Sequence, residues 1–249
     1  MPHYEQDVRP QEGKLKLVEL MNTVQGEGQF IGVPSVFARF GMCNLECSGC
    51  DTKWDSWSEE TIESIAKRIA AFKSKQLVIT GGEPTLWQDQ LQLLVDMLPG
   101  HTVTVETNGA VPIRNNILLE AVDLWSFSPK VGSLGHDEKF SHTTVLVNIH
   151  KTTGHHQIKY VLDPNISEHA DSVFAFQKRV DALQTYTPDA AIFFQPLDRD
   201  TRVNISNAVK GVEPTQYAKD LVALTQLVFE RSGCRFRVLP QLHKILIWR

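Results

Sequence analysis

Residues 77–84 read LVITGGEP. Leu77 to Thr80 form a short apolar, β-branched run that stops at Gly81-Gly82, the pattern of a buried strand. A helix follows: Pro84 suits its first turn, Leu91, Leu94, Val95 and Leu98 share one face, and Pro99-Gly100 end it. The same rhythm extends outward in both directions. SVFARF at 35–40, TVTVE at 102–106, VDLWSFS at 122–128, IKYVL at 158–162, AIFFQPL at 191–197 and FRVLP at 236–240 read as further strands. Ile62, Ile65, Ala66, Ile69 and Phe72 keep helical spacing, with Ser56 and Glu59 placed for a capping box. Further helices fall near 166–183 and 214–231. Alternating strands and helices specify an α/β fold with a mainly parallel sheet or barrel. The stretch 131–157 breaks the rhythm and reads for much of its length as a long connection with room for a short helix, with His155 and His156 at the surface. No internal repeat or linker divides the chain, so 1–249 is expected to be one domain with an irregular insertion near 131–157.

Composition narrows the class. Hydrophobic residues make up 42% and charged residues 22% of the 249 residues, an ordinary globular balance. The net charge of −4 gives no hint of wholesale nucleic-acid binding. No apolar run reaches the roughly 18 residues of a membrane span, and the N-terminal stretch lacks the apolar core of a secretory signal. A soluble cytoplasmic protein without membrane contact is expected. In a reducing cytosol, clustered cysteines favour a metal or redox site over disulfides.

Polar and glycine-rich features follow the strands. The cysteine loop follows 35–40, TGGEP follows 77–80, ETNG follows 102–106, SPK follows 122–128 and QPLD follows 191–197. Ligands of parallel α/β folds bind at the carboxyl ends of the strands. Five such features in what reads as five successive strand ends point to one site.

Three of the four cysteines, Cys43, Cys47 and Cys50, lie in GMCNLECSGCDTKW at 41–54, spaced C-x3-C-x2-C. A zinc ion would need a fourth ligand, such as Cys234, His155 or His156. A cubane iron–sulfur cluster on three thiolates instead keeps one iron open for the amine and carboxylate of a small molecule. S-adenosylmethionine carries both groups, and with such a cluster it supplies radical chemistry that side chains cannot. Cys234, after a helix and a glycine, reads as a packing residue.

C-x3-C-x2-C after one strand and GGEP after the next resemble the radical S-adenosylmethionine superfamily. TVQGEGQFIGVPSVFARFGMCNLECSGCDT at 23–52, VITGGEPTLW, VETNG, SFSPK, QPLD and the terminal VLPQLHKILIW are similar to the 7-carboxy-7-deazaguanine synthases within it. The resemblance implies a shortened, distorted TIM-type partial barrel with parallel strands. It implies a lyase that contracts 6-carboxy-5,6,7,8-tetrahydropterin to 7-carboxy-7-deazaguanine with loss of ammonia, in queuosine and 7-deazapurine biosynthesis. It also implies a 4Fe-4S cluster on Cys43, Cys47 and Cys50, magnesium, an electron donor such as flavodoxin, and a homodimer.

The resemblance carries further residues with it. Thr52 would bind magnesium, for which its hydroxyl is a suitably hard oxygen; a turn-forming Asp-Thr pair is the plainer account. Gly49, Cys50, Asp51, Gly82, Ser128, Pro129, Lys130, Gln195, Pro196, Leu197 and Asp198 would contact S-adenosylmethionine. Gly81-Gly82 lack side chains, so a ligand can approach the backbone, although a tight strand-to-helix turn also explains them. Val24, Gln25, Gly26 and Thr80 would contact the pterin, Gln25 offering both donor and acceptor; Glu27 is a weaker candidate. Arg39, a lone cation in an apolar strand, needs a partner. A two-point grip on the substrate carboxylate supplies one, and a structural salt bridge is the rival. Glu106 and Asn108 could reach the ribose hydroxyls, and strand-end hydrogen bonding explains them almost as well. His243 and Lys244 match the terminal motif without an assigned role. A glycyl-radical activase would share the cluster but leave QGEG unexplained, a zinc module would not need GGEP, and a plain redox carrier would need no substrate pocket.

Overall fold

The computed structural model of the chain describes residues 13–47, 50, 52–132, 140–163, 165–182, 191–197, 216–232 and 236–241. Among them the strands form one mixed sheet in the order β3-β1-β2-β4-β5-β6-β7-β8-β9. It opens with an antiparallel hairpin, β1 (Lys14–Val24) and β2 (Pro34–Phe40), and β3 (Ser58–Thr61) pairs antiparallel with β1 on the outer side. From β2 onward every pairing is parallel, through β4 (Gln76–Gly81), β5 (Thr102–Thr107), β6 (Leu124–Phe127), β7 (His156–Leu162), β8 (Ala191–Pro196) and β9 (Arg237–Val238). The sheet stays open between β3 and β9, a partial barrel.

The helices connect these strands: α1 (Ile62–Ala70), α2 (Gln88–Asp96), α3 (Asn116–Ala121), α4 (His142–Lys151), α5 (Ser167–Ala182) and α6 (Gln216–Ser232). Each lays an apolar stripe on the sheet. Ile62, Ile65, Ala66 and Ile69 are the buried face of α1, and Leu91, Leu94 and Val95 that of α2. Phe174 of α5 stacks on Phe194 of β8 with ring centroids 5.3 Å apart. Leu77, Val78 and Ile79 on β4 are fully buried, as expected of a central parallel strand covered on both faces.

Four sequence expectations change. β1 was not read as a strand, although Leu15 and Leu17 alternate inward along it. The capping box at Ser56 and Glu59 does not form: Ser58–Thr61 is strand, and Thr61 caps α1 by accepting from the Ser64 N–H at 3.2 Å. The stretch 131–157 holds α4 and the first residues of β7. His156 is accordingly buried at the start of β7, its Nδ1 3.0 Å from the Thr152 carbonyl oxygen, while His155 is exposed. β7 also separates β6 from β8, so the five functional strand ends are not all adjacent. No helix among the described residues is long and apolar enough to cross a membrane.

Candidate active site

The site begins where β2 and β4 end. Phe40 and Gly81 are paired across these strands, and beyond them the chain segments stay in contact. The Gly82 N–H donates to the Phe40 carbonyl at 2.9 Å, and the Glu83 N–H to the Met42 carbonyl at 2.9 Å. A side chain on Gly81 would run into the Phe40 backbone, and one on Gly82 into that of Met42. The glycine pair therefore serves backbone-to-backbone contact, a reason different from the ligand approach expected of it. Met42 has φ of 70°, the one non-glycine residue with positive φ among the described residues, a strained turn that starts the cysteine loop. Its N–H donates to the Trp54 carbonyl at 2.9 Å, so both ends of the loop are clamped together.

Glu83 anchors this corner. It is fully buried and accepts from Thr85 N–H at 3.0 Å, Thr85 Oγ1 at 2.5 Å, Thr107 Oγ1 at 2.7 Å and Asn108 N–H at 2.8 Å. Burial raises its pKa, and these hydrogen bonds oppose that shift by favouring the carboxylate. GGEP and ETNG are thereby joined through one side chain. Asn108 in turn donates to Asn44 Oδ1 at 2.8 Å, reaching into the cysteine loop rather than standing free for a ribose.

Cys43, Cys47 and Cys50 line a cavity of about 560 Å³. Burial pushes the Cys43 thiol up to about 12, and the nearby charge of Glu83 adds to the effect. Burial also raises Cys47, against the attraction of Lys130. A thiolate there needs a cation against it, which a metal centre supplies by displacing the proton. Among the described residues no three His, Cys, Asp or Glu side chains converge around a single ion.

The same cavity gathers most of the other expected residues. Val24, Gln25, Gly26, Arg39, Thr52, Thr80, Gly82, Ser128, Lys130 and Leu197 line it. Arg39 is not alone: its Nε donates to Glu19 Oε2 at 3.3 Å and its Nη1 to Thr52 Oγ1 at 2.9 Å. Gln25 is 2% exposed. Its Oε1 accepts from the Glu27 N–H at 3.0 Å and its Nε2 donates to Glu106 at 3.3 Å, so it ties its own loop to β5. Pro129 and Pro196 are buried and are not among the residues that line the cavity. Gln195 is fully buried, and neither polar atom of its side chain has a partner among the described residues. Gly49, Asp51, Asp198, Cys234, His243 and Lys244 lie outside the described residues.

Sequence reasoning missed Lys159, Glu19 and Gln241, which also line the cavity. Lys159 bridges Glu27 at 2.7 Å and Glu106 at 2.9 Å, with its side chain 3% exposed. Burial works against its charge, but Glu106 and Glu27 outweigh that and leave its pKa above the ordinary lysine value. Thr80 Oγ1 donates to Glu106 Oε2 at 3.2 Å, and Gln241 Nε2 to Glu27 Oε1 at 2.6 Å.

A sequence profile of the Radical SAM superfamily matches residues 39–134. A 7-carboxy-7-deazaguanine synthase of Haemophilus influenzae is 37% identical over 123 residues, 48% of this chain and 54% of the relative. That of Bacteroides thetaiotaomicron is 40% identical over 119 residues, 47% of this chain and 62% of the relative. Against these two the chain spans little more than half of the relative's length. The synthase of Thermoplasma acidophilum is 27% identical across 92% of this chain and 96% of the relative. The crystal structure of QueE from Escherichia coli shares the fold, with a TM-score of 0.63 at 22% identity over 93% of this chain and 96% of that one. Residues 39–134 are thus similar to the Radical SAM superfamily, and the chain is similar to 7-carboxy-7-deazaguanine synthases.

Proposed function

We propose that this chain contracts 6-carboxy-5,6,7,8-tetrahydropterin to 7-carboxy-7-deazaguanine, with loss of ammonia, in queuosine and 7-deazapurine synthesis. One observation carries the reading: a single cavity joins the three cysteines to Arg39, Thr80 and the Glu27–Lys159–Glu106 cluster. Cys43, Cys47 and Cys50 hold a 4Fe-4S cluster. The segments containing Gly49, Asp51, Gly82, Ser128, Pro129, Lys130, Gln195, Pro196, Leu197 and Asp198 hold S-adenosylmethionine. Bound there, cluster and cofactor supply one-electron chemistry beyond the reach of side chains.

The chain's own residues bind and orient. Arg39 donates to Thr52, which puts a guanidinium beside the hydroxyl that this reading assigns to magnesium. A substrate carboxylate that touches Arg39 and a magnesium ion on Thr52 at once fits that pairing. Val24, Gln25, Gly26 and Thr80 shape the ring site. Fixing the ring against the reactive centre is the chain's main contribution to the rate. The same reading makes the protein a single-domain cytoplasmic homodimer, with an irregular segment near 131–157, that takes low-potential electrons from a flavodoxin-type donor.

The test is anaerobic turnover of substrate deuterated at C6, with S-adenosylmethionine, magnesium and a strong reductant. Mass spectrometry should find 7-carboxy-7-deazaguanine, and deuterium in recovered S-adenosylmethionine. Cofactor consumption without any deazapurine, together with activation of a glycyl-radical protein, would replace this reading with an activase.

A further inference from the structure

Lys159 sits mid-strand on β7, yet its ammonium ties together three separate pieces of the cavity wall. Glu27 comes from the loop after β1 and Glu106 from β5, and both lie within hydrogen-bond reach of the one nitrogen. Two carboxylates this close repel. Without a cation between them, one takes up a proton and the pair titrates as a unit. The flanking strands bring no further charge: Phe193 of β8 is the partner of Lys159 in the sheet, and Ser126 of β6 hydrogen-bonds Gln157. The other titratable groups of the cavity wall are Glu19, Arg39, Lys130 and the three cysteines.

We propose that Lys159 is a positioning residue that keeps Glu27 and Glu106 ionised and at fixed spacing, so that the two carboxylates accept N–H donors from the substrate ring. This rests on the pterin reading of the cavity, because a 2-amino-4-oxopyrimidine edge is rich in such donors. The lysine acts through the carboxylates: with its side chain 3% exposed and two ion pairs under 3 Å, it stands behind them.

Fully oxidised 6-carboxypterin is a fluorescent, unreactive probe. Its binding to the anaerobically reconstituted full chain needs no turnover. Wild type, Lys159→Met, Lys159→Arg and the double variant Lys159→Met/Glu27→Gln are compared between about pH 5.5 and 7.5. Wild-type affinity should be nearly flat with pH. Lys159→Met should bind roughly tenfold or more weakly at the acid end and recover as pH rises and the pair ionises. The double variant, which restores the net charge of the triad, should lose that slope, and Lys159→Arg should regain most of the affinity. Pyrazine-2-carboxylate, which has the ring carboxylate without the aminopyrimidine edge, should bind all four proteins alike. Lys159→Arg and the double variant carry the comparison should Lys159→Met fail to fold. The proposal is overturned if removal of the lysine leaves affinity and its pH dependence unchanged. A pH-independent loss that is equally large for pyrazine-2-carboxylate overturns it too. Failure of the wild type to bind 6-carboxypterin instead overturns the pterin reading and this inference with it.

Discussion

Replacing Gly82 by alanine separates two accounts of the glycine pair. The added methyl carbon would lie 2.6 Å from the Met42 carbonyl carbon and 3.0 Å from Cys43 Cβ. Carbon atoms rest about 3.5–4.0 Å apart, so the turn and the cysteine loop must separate by roughly 1 Å. The Gly82-to-Phe40 and Glu83-to-Met42 hydrogen bonds, each 2.9 Å, would stretch out of range. At about 0.5–1.5 kcal/mol each, and with the residual strain added, the cost is about 2–4 kcal/mol. For a chain of this size that lowers Tm by roughly 5–15 °C. The same movement displaces Cys43, so iron should fall with stability. The assay pairs thermal unfolding with iron and sulfide per chain after anaerobic reconstitution. A variant with unchanged Tm and full iron that loses only S-adenosylmethionine binding would refute this reasoning. It would return Gly82 to the role of a ligand opening.

Cys43→Ala should abolish the cluster, whereas Cys234→Ala should leave iron content unchanged; loss of iron in the second variant would mean a fourth protein ligand. Arg39→Lys keeps the charge but cannot hold Glu19, Thr52 and a carboxylate from one planar fork. It should raise KM by roughly tenfold, and unaltered steady-state constants would rule out the grip. Thr52→Ala should blunt the magnesium response without lowering iron content, as titration of activity with magnesium would reveal. Acid stability follows His156 and His169, both held below the ordinary histidine value of 6.5 by burial. The unfolded chain then binds protons that the folded chain does not. Their stabilisation is complete above about pH 6.5 and is lost as pH falls through the lower folded values. Denaturant midpoints should drop below pH 6.5, and His156→Gln should flatten that drop.

The alternation of strands and helices was legible because parallel strands buried on both faces read as plain apolar runs, as at Leu77 to Ile79. The edge was not. β1 alternates Leu15 and Leu17 with lysines and lies half in solvent, so its pattern is too weak to announce a strand. The capping box failed for a related reason. Ser56 and Glu59 have the right spacing, but β1 takes Ser58–Thr61 as a partner strand and moves the cap to Thr61. Short-range patterns cannot register a long-range pairing. The glycine pair shows the same limit at the site. GGEP announces a turn, but only the fold reveals that the atoms its missing side chains would strike belong to Phe40 and Met42.

Lys159 and Arg39 make the point in opposite directions. Both are cations inside apolar strands, and burying an unpaired charge is costly. Applied to ARF, that reasoning calls for a partner for Arg39, and the structure supplies Glu19 and Thr52. Applied to IKYVL, it would have called for one for Lys159 as well, and it would have led to the more deeply buried group. What it could not have given is the identity of the partners, because Glu27 and Glu106 lie 132 and 53 residues away in sequence. The two cations also differ in what they leave for a ligand. Arg39 keeps a planar fork with donors beyond those spent on Glu19 and Thr52, so it can still meet a carboxylate. Lys159 is enclosed by its two carboxylates, so its influence reaches the cavity through them. A basic residue in a strand that lines a cavity is thus two different signals. When half-exposed it is a candidate ligand contact, and when sealed between acids it points to the acids as the groups that face the ligand.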